Sequence, residues 1–160
     1  MTPGESILVK DDPVRPRFSY EWRVSFDREI WVWENPLTGV VDSVICVAYT
    51  NQIPTSEDDL ELFSTLAAES GSRGNTAVFY TVWSYTNGAG RRLVNELALH
   101  LQRTRSELCR WVTLSPLTEM ATRFHLSNGA QLLQVNQSTQ NFDYTEQVRL
   151  LSSRDSYQSI

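Results

Sequence analysis

RWVTLSPLTEMATRFHLSNGA, residues 110–130, decides how the rest of the chain is read. It opens as a short apolar strand through Leu114 and bends at Ser115-Pro116. A brief helix follows and stops at the Asn128-Gly129 turn signal. The bend places the Ser115 hydroxyl at the end of a strand, ten residues before His125, which is one of 2 histidines in the chain. Two readings of that pair are open. In one, Ser115 caps the turn before the helix and His125 is a satisfied structural side chain. In the other, hydroxyl and imidazole face a pocket at the edge of a sheet.

Working outward, residues 76–85 (TAVFYTVWSY) form the most hydrophobic strand and read as an interior one. The strand runs into Thr86, Asn87, Gly88, Ala89, Gly90, Arg91 and Arg92, then into a helical pattern carried by Leu93, Val94, Leu97, Ala98 and Leu101. Strand, glycine turn and helix start are the parts of an anion site, because small residues let a phosphate approach the backbone and the first amides of the helix point at it. A plain turn with glycine at positive φ is the other reading. Arg91 and Arg92 either assist the phosphate or stand as solvated helix charges. A Walker A lysine and a GxGxxG pattern are both missing, so nucleoside triphosphates and dinucleotides drop out as ligands. His100, near the end of the same helix, reads as a surface imidazole.

Residues 40–49 (VVDSVICVAY) are a second continuous apolar run and a second interior strand. They form a hairpin with residues 29–33 across the Asn35-Pro36-Leu37-Thr38-Gly39 turn. The imperfect alternation of residues 18–26 reads as a half-exposed strand. Ser56, followed by Glu57, Asp58 and Asp59, starts a helix whose apolar stripe is Leu60, Phe63, Leu66 and Ala67. Residues 131–135 read as a strand, and 136–144 as a polar stretch anchored by Phe142 and Tyr144. Residues 1–17, with Pro3, Pro13 and Pro16, read as an irregular arm, and 151–160 as a flexible tail. The order β-β-β-α-β-α-β-α-β predicts an α/β (α+β) mixed sheet flanked by helices, in a single domain over 18–150.

At 160 residues, with 41% hydrophobic side chains, the chain is long enough for one well-filled core. The formal charge of -5 gives nucleic acid no global attraction. Cys46 and Cys109 sit in apolar runs and form no metal or disulfide spacing. The sequence shows no signal peptide and no apolar run of membrane-spanning length, so the expectation is a cytoplasmic protein without membrane or metal.

The motifs add a resemblance. VTLSP followed by RFHLSNGA resembles the malonyl-CoA decarboxylase family, whose catalytic domain is a divergent GNAT (acetyltransferase-like) fold. The family's LSPIPGF motif matches at Leu114, Ser115 and Pro116; its FHLxNGA motif matches at Phe124, His125, Leu126, Asn128, Gly129 and Ala130, with Asn136 beyond. The resemblance implies catalytic roles for Ser115 and His125 and substrate-positioning roles for Asn128 and Asn136. Gly88, Ala89 and Gly90 are similar to the small-residue end of the GNAT pyrophosphate loop, and Tyr85 stands where that loop carries a basic residue or Gln. CoA or acyl-CoA is the implied ligand, held by residues 86–92, with Ser115 and His125 expected to face the same pocket. Three functions fit: decarboxylation of a malonyl-type thioester, non-catalytic acyl-CoA binding or protein interaction on the same scaffold, and CoA-dependent N-acyl transfer. The chain departs from the family in joining the two motifs by only residues 117–123, where the family has a long helical insertion, and in lacking room for the family's preceding helical domain.

Overall fold

A computed structural model describes residues 1–3 and 6–158, with side chains described for 1, 2 and 8–154. The expectations for Gly4 and Glu5 of the arm, and for Ser159 and Ile160 of the tail, lie outside the described residues. The strands are β1 (Thr2–Pro3), β2 (Glu29–Glu34), β3 (Val41–Thr50), β4 (Thr76–Ser84), β5 (Arg110–Thr113), β6 (Ser115–Pro116), β7 (Gln131–Val135) and β8 (Thr139–Asp143). The helices are α1 (Tyr20–Arg23), α2 (Glu57–Glu69), α3 (Ala89–Thr104), α4 (Glu119–Ser127) and α5 (Thr145–Gln158), preceded by a 3-10 turn at Ser6–Asp11.

One mixed sheet runs β1-β2-β3-β4-β5-β8, with β6 continuing the line of β5 along β8 and β7 on the other flank of β8. All pairs are antiparallel except β4 and β5, which run parallel from Thr76↔Arg110 to Phe79↔Thr113. Both apolar runs are interior strands as expected: β3 lies between β2 and β4, and β4 between β3 and β5. Full burial on both faces is what their unbroken apolar character requires. Against one face, α3 and α5 pack Leu93, Val94, Leu97, Leu101 and Val148 onto Phe79, Trp111, Phe142 and Tyr144. The other face carries Leu60 of α2, Val9 of the arm, and Phe18, Tyr20 and Trp22 at and just before α1, over Val44, Tyr80 and Leu114.

Several segments differ from the sequence expectation. Residues 20–23 form a helical turn instead of a strand, because Ser19 caps it by accepting from the Trp22 amide and Phe18 stacks on Trp22 at 4.3 Å. The arm is bound to the domain: Asp12 and Arg15 are buried, and β1 pairs with β2. The polar stretch after β7 is a buried strand, β8, whose amides are satisfied internally. Asn141 Nδ2 donates to the carbonyls of Thr113 (2.7 Å) and Pro54 (2.9 Å), and Gln140 Nε2 to that of Pro116 (3.0 Å). Residues 151–158 continue α5. Cys46 is buried, but Cys109 is exposed just before β5.

Candidate functional site

The site begins where β4 and β5 separate. Their parallel pairing ends at Phe79↔Thr113, with one further bond from the Leu114 amide to the Phe79 carbonyl (3.1 Å). Beyond it β4 continues to Ser84 while the other chain turns onto β8 through Ser115-Pro116. A gap at the carboxyl ends of parallel strands is where open α/β sheets take ligands. β4 also bulges there: Val47 pairs with Phe79 and Cys46 with Thr81, so Tyr80 faces no residue of β3.

At the end of β4, Gly88 adopts φ +81 and precedes α3 without a side-chain cap; the Ala89 amide bonds back to the Thr86 carbonyl (3.2 Å) and the Arg92 amide to that of Gly88 (3.2 Å), which leaves the Gly90 and Arg91 amides facing outward at the helix start. Gly90 packs close to the strand; a Cβ there would meet Ser84 Oγ at 2.4 Å. A groove of about 270 Å³ is lined by Ser84, Tyr85, Thr86, Asn87, Gly88, Gly90, Arg91 and Phe124. A second, of about 390 Å³, is lined by Arg91, Glu119, Met120, Arg123 and Phe124. Arg91 therefore serves both, reaching Ser127 Oγ across Phe124. Arg92 turns away and stacks over Trp33 at 4.0 Å. Thr86 donates its hydroxyl to Asp42 (3.0 Å) and Tyr85 to Asp11 (2.6 Å), so two carboxylates flank the loop.

Ser115 and His125 lie on the α3 face but line neither groove. Ser115 is 3% exposed, and its Oγ is 2.7 Å from Thr113 Oγ1, which also accepts from the Phe142 amide. His125, on α4, is stacked on Phe142 at 5.1 Å and edge-on to Phe124 at 5.0 Å. Among the described residues no hydrogen bond joins Ser115 to His125. Phe124 is the side chain that touches both the imidazole and the grooves.

Burial pushes the His125 pKa down to about 4, so the ring is neutral at pH 7. Its Nδ1 is 2.8 Å from Tyr144 Oη, which accepts from Asn128 Nδ2 at 3.4 Å. In the tautomer in which the Tyr144 hydroxyl donates to Nδ1, the ring proton is on Nε2. Asn128 also accepts from Asn95 Nδ2 (3.0 Å), tying α4 to α3. Asn136 spends its amide on Thr139 Oγ1 (2.9 Å) and Asn141 Oδ1 (2.8 Å) within the β7–β8 turn and lines neither groove. Tyr144 was visible in the sequence only as an anchor of the polar stretch, and Phe124 only as a matched residue of the FHLxNGA motif. Asp11 and Asp42 gave no signal, because their approach to the loop is purely tertiary.

The architecture is that of the GNAT acyltransferases, a mixed sheet flanked by helices. Among solved structures the chain is similar to a malonyl-CoA decarboxylase from Agrobacterium vitis, at 26% identity and TM-score 0.58, over 72% of this chain and 31% of that one. A malonyl-CoA decarboxylase from Rhodopseudomonas palustris superposes with TM-score 0.64 at 15% identity, over 96% of this chain and 56% of that one. A spermidine N-acetyltransferase SpeG chimera from Vibrio cholerae and hSSAT gives TM-score 0.52 at 11% identity, over 89% and 91%. At 15% and 11% the likeness is one of fold. The chain thus spans about a third to somewhat over half of the decarboxylases it matches. No family model and no curated protein matches it. Among the described residues no group of acidic, His or Cys side chains is arranged to hold a metal, and no helix is long and apolar enough to cross a membrane.

Proposed function

We infer that the chain binds an acyl-CoA thioester at the start of α3 and decarboxylates a malonyl-type acyl group with His125 and Ser115. The observation that supports this reading is the groove at the start of α3, closed by Phe124, whose ring lies edge-on to the His125 imidazole at 5.0 Å. The Gly90 and Arg91 amides, together with the Arg91 side chain, would hold the pyrophosphate in the groove at the start of α3. Loss of carbon dioxide breaks the bond between the carboxylate and the α-carbon, and the electron pair moves onto the thioester oxygen as an enolate. A neutral Nε2–H aimed at that oxygen stabilises it as charge develops. The α-carbon then takes up one proton to give the acetyl thioester. Ser115 would donate to the departing carboxylate. For the reaction, the Phe124 ring must turn aside, since it lies between the grooves and His125.

Burial of Ser115 and His125 outside both grooves favours a second reading, acyl-CoA binding without catalysis. Carbon dioxide release from malonyl-CoA separates the two. Catalysis predicts turnover by the wild type, lost in Ser115→Ala and His125→Ala with CoA affinity retained. Equal rates in all three would remove the pair from the mechanism, and wild-type inactivity with CoA binding would leave the binding role.

A further inference from the structure

The gap between β4 and β5 is filled from the opposite face by a side chain of the N-terminal arm. Arg15 is 2% exposed, and its guanidinium donates to the carbonyls of both diverging strands, Nη1 to Tyr80 and Nη2 to Leu114 at 3.0 Å. It bridges the strands just past their last paired residues, at the Tyr80 bulge. Glu57 holds the guanidinium itself, and Asp12 and Arg23 fix the Arg15 backbone behind it. Its Nε lies 3.1 Å from Glu57 at the start of α2. Asp12 accepts from the Arg15 amide (2.9 Å) and from Thr81 Oγ1 (2.9 Å). Arg23, itself buried, donates to Asp12 (2.7 Å) and to the Arg15 carbonyl. A surface ion pair would not need this much support; a charge fixed in a strand gap does.

Resting on the acyl-CoA reading above, we propose that Arg15 is a specificity-determining residue. By stopping the gap between β4 and β5, it confines the thioester's acyl group to the α3 face and restricts it to short chains. A ligand whose phosphates sit after Gly88 brings its thioester to the mouth of this gap, near Thr113 and Ser115. A longer chain would have to pass between the strands to reach apolar surroundings on the other side. There it meets a guanidinium that cannot leave without exposing the Tyr80 and Leu114 carbonyls and giving up its contact with Glu57.

The test is calorimetric titration of the full chain with CoA, acetyl-CoA and octanoyl-CoA, repeated on Arg15→Ala and Arg15→Met. The wild type should bind octanoyl-CoA no more tightly than acetyl-CoA. Arg15→Ala should raise octanoyl-CoA affinity relative to acetyl-CoA by about tenfold or more, and Arg15→Met should shift it the same way by less. Wild-type preference for octanoyl-CoA by about tenfold would overturn the proposal even if neither variant folds, and so would an unchanged ratio in folded variants. Failure to bind CoA or either thioester would remove the underlying reading as well, whereas CoA binding with an unchanged ratio would remove only the role of Arg15.

Discussion

Acidification should weaken the fold through His125 by a calculable amount. The folded-state pKa is about 4 and the unfolded reference 6.5, so between these values the unfolded chain binds more protons and stability falls as pH drops. Each unit of difference is worth ~1.4 kcal/mol, which gives a loss of about 2 kcal/mol at pH 5 and about 3 kcal/mol by pH 4, relative to pH 7.5. Carboxylates titrate in the same range, so the informative quantity is the difference between the wild type and His125→Gln. Thermal unfolding from pH 7.5 to 5 should lower the wild-type melting point by roughly 4–8 °C more than that of the variant, taking 2–4 °C per kcal/mol for a chain of this size. The variant has its own offset at neutral pH, from the lost ring packing and the bond to Tyr144, but that offset does not change with pH. Parallel curves would refute the argument. With 2 histidines in the chain, a proton NMR titration reads the same pKa directly, and a His125 value near 6.5 would also refute it.

Gly90→Ala should destabilise the domain by about 1–3 kcal/mol in urea unfolding, because its Cβ meets Ser84 Oγ, and Ser84→Ala should recover most of the loss in the double variant. Asp12→Ala strips the fully buried Arg23 of its carboxylate and should cost about 3–5 kcal/mol in the same assay; a change below 1 kcal/mol would mean that the cluster is hydrated. Asp11→Asn removes a negative charge bonded to the Tyr85 hydroxyl beside the loop and should tighten CoA binding by about two- to fivefold at low salt, with the gain shrinking as salt is added.

The sequence revealed those parts of the fold that depend on local pattern. β3 and β4 were legible because strands buried on both faces need no polar alternation, and α2 because Ser56 and the acidic first turn mark a helix start. β8 was not, since Thr139, Gln140 and Asn141 look solvated until Thr55, Pro116, Pro54 and Thr113 supply their partners. The arm was legible only as irregular chain, for the same reason: Arg15 and Asp12 are charged, and only the carbonyls at the β4–β5 gap and the guanidinium of Arg23 explain their burial. At the site, Gly88 stood out through the strand-turn-helix pattern, and the Ser115 and His125 motifs through resemblance. Phe124, as the ring between the imidazole and the grooves, follows only from tertiary contacts that bring the end of α4 to α3, Arg91 to Ser127 and Asn95 to Asn128.

The central claim, a thioester site at the start of α3, is tested most directly by calorimetric titration of CoA into the wild type and Arg91→Glu. Saturable binding with a dissociation constant below about 1 mM, weakened at least about tenfold by the charge reversal, is the predicted result. No heat of binding at millimolar CoA, or equal affinity in the two proteins, would contradict it.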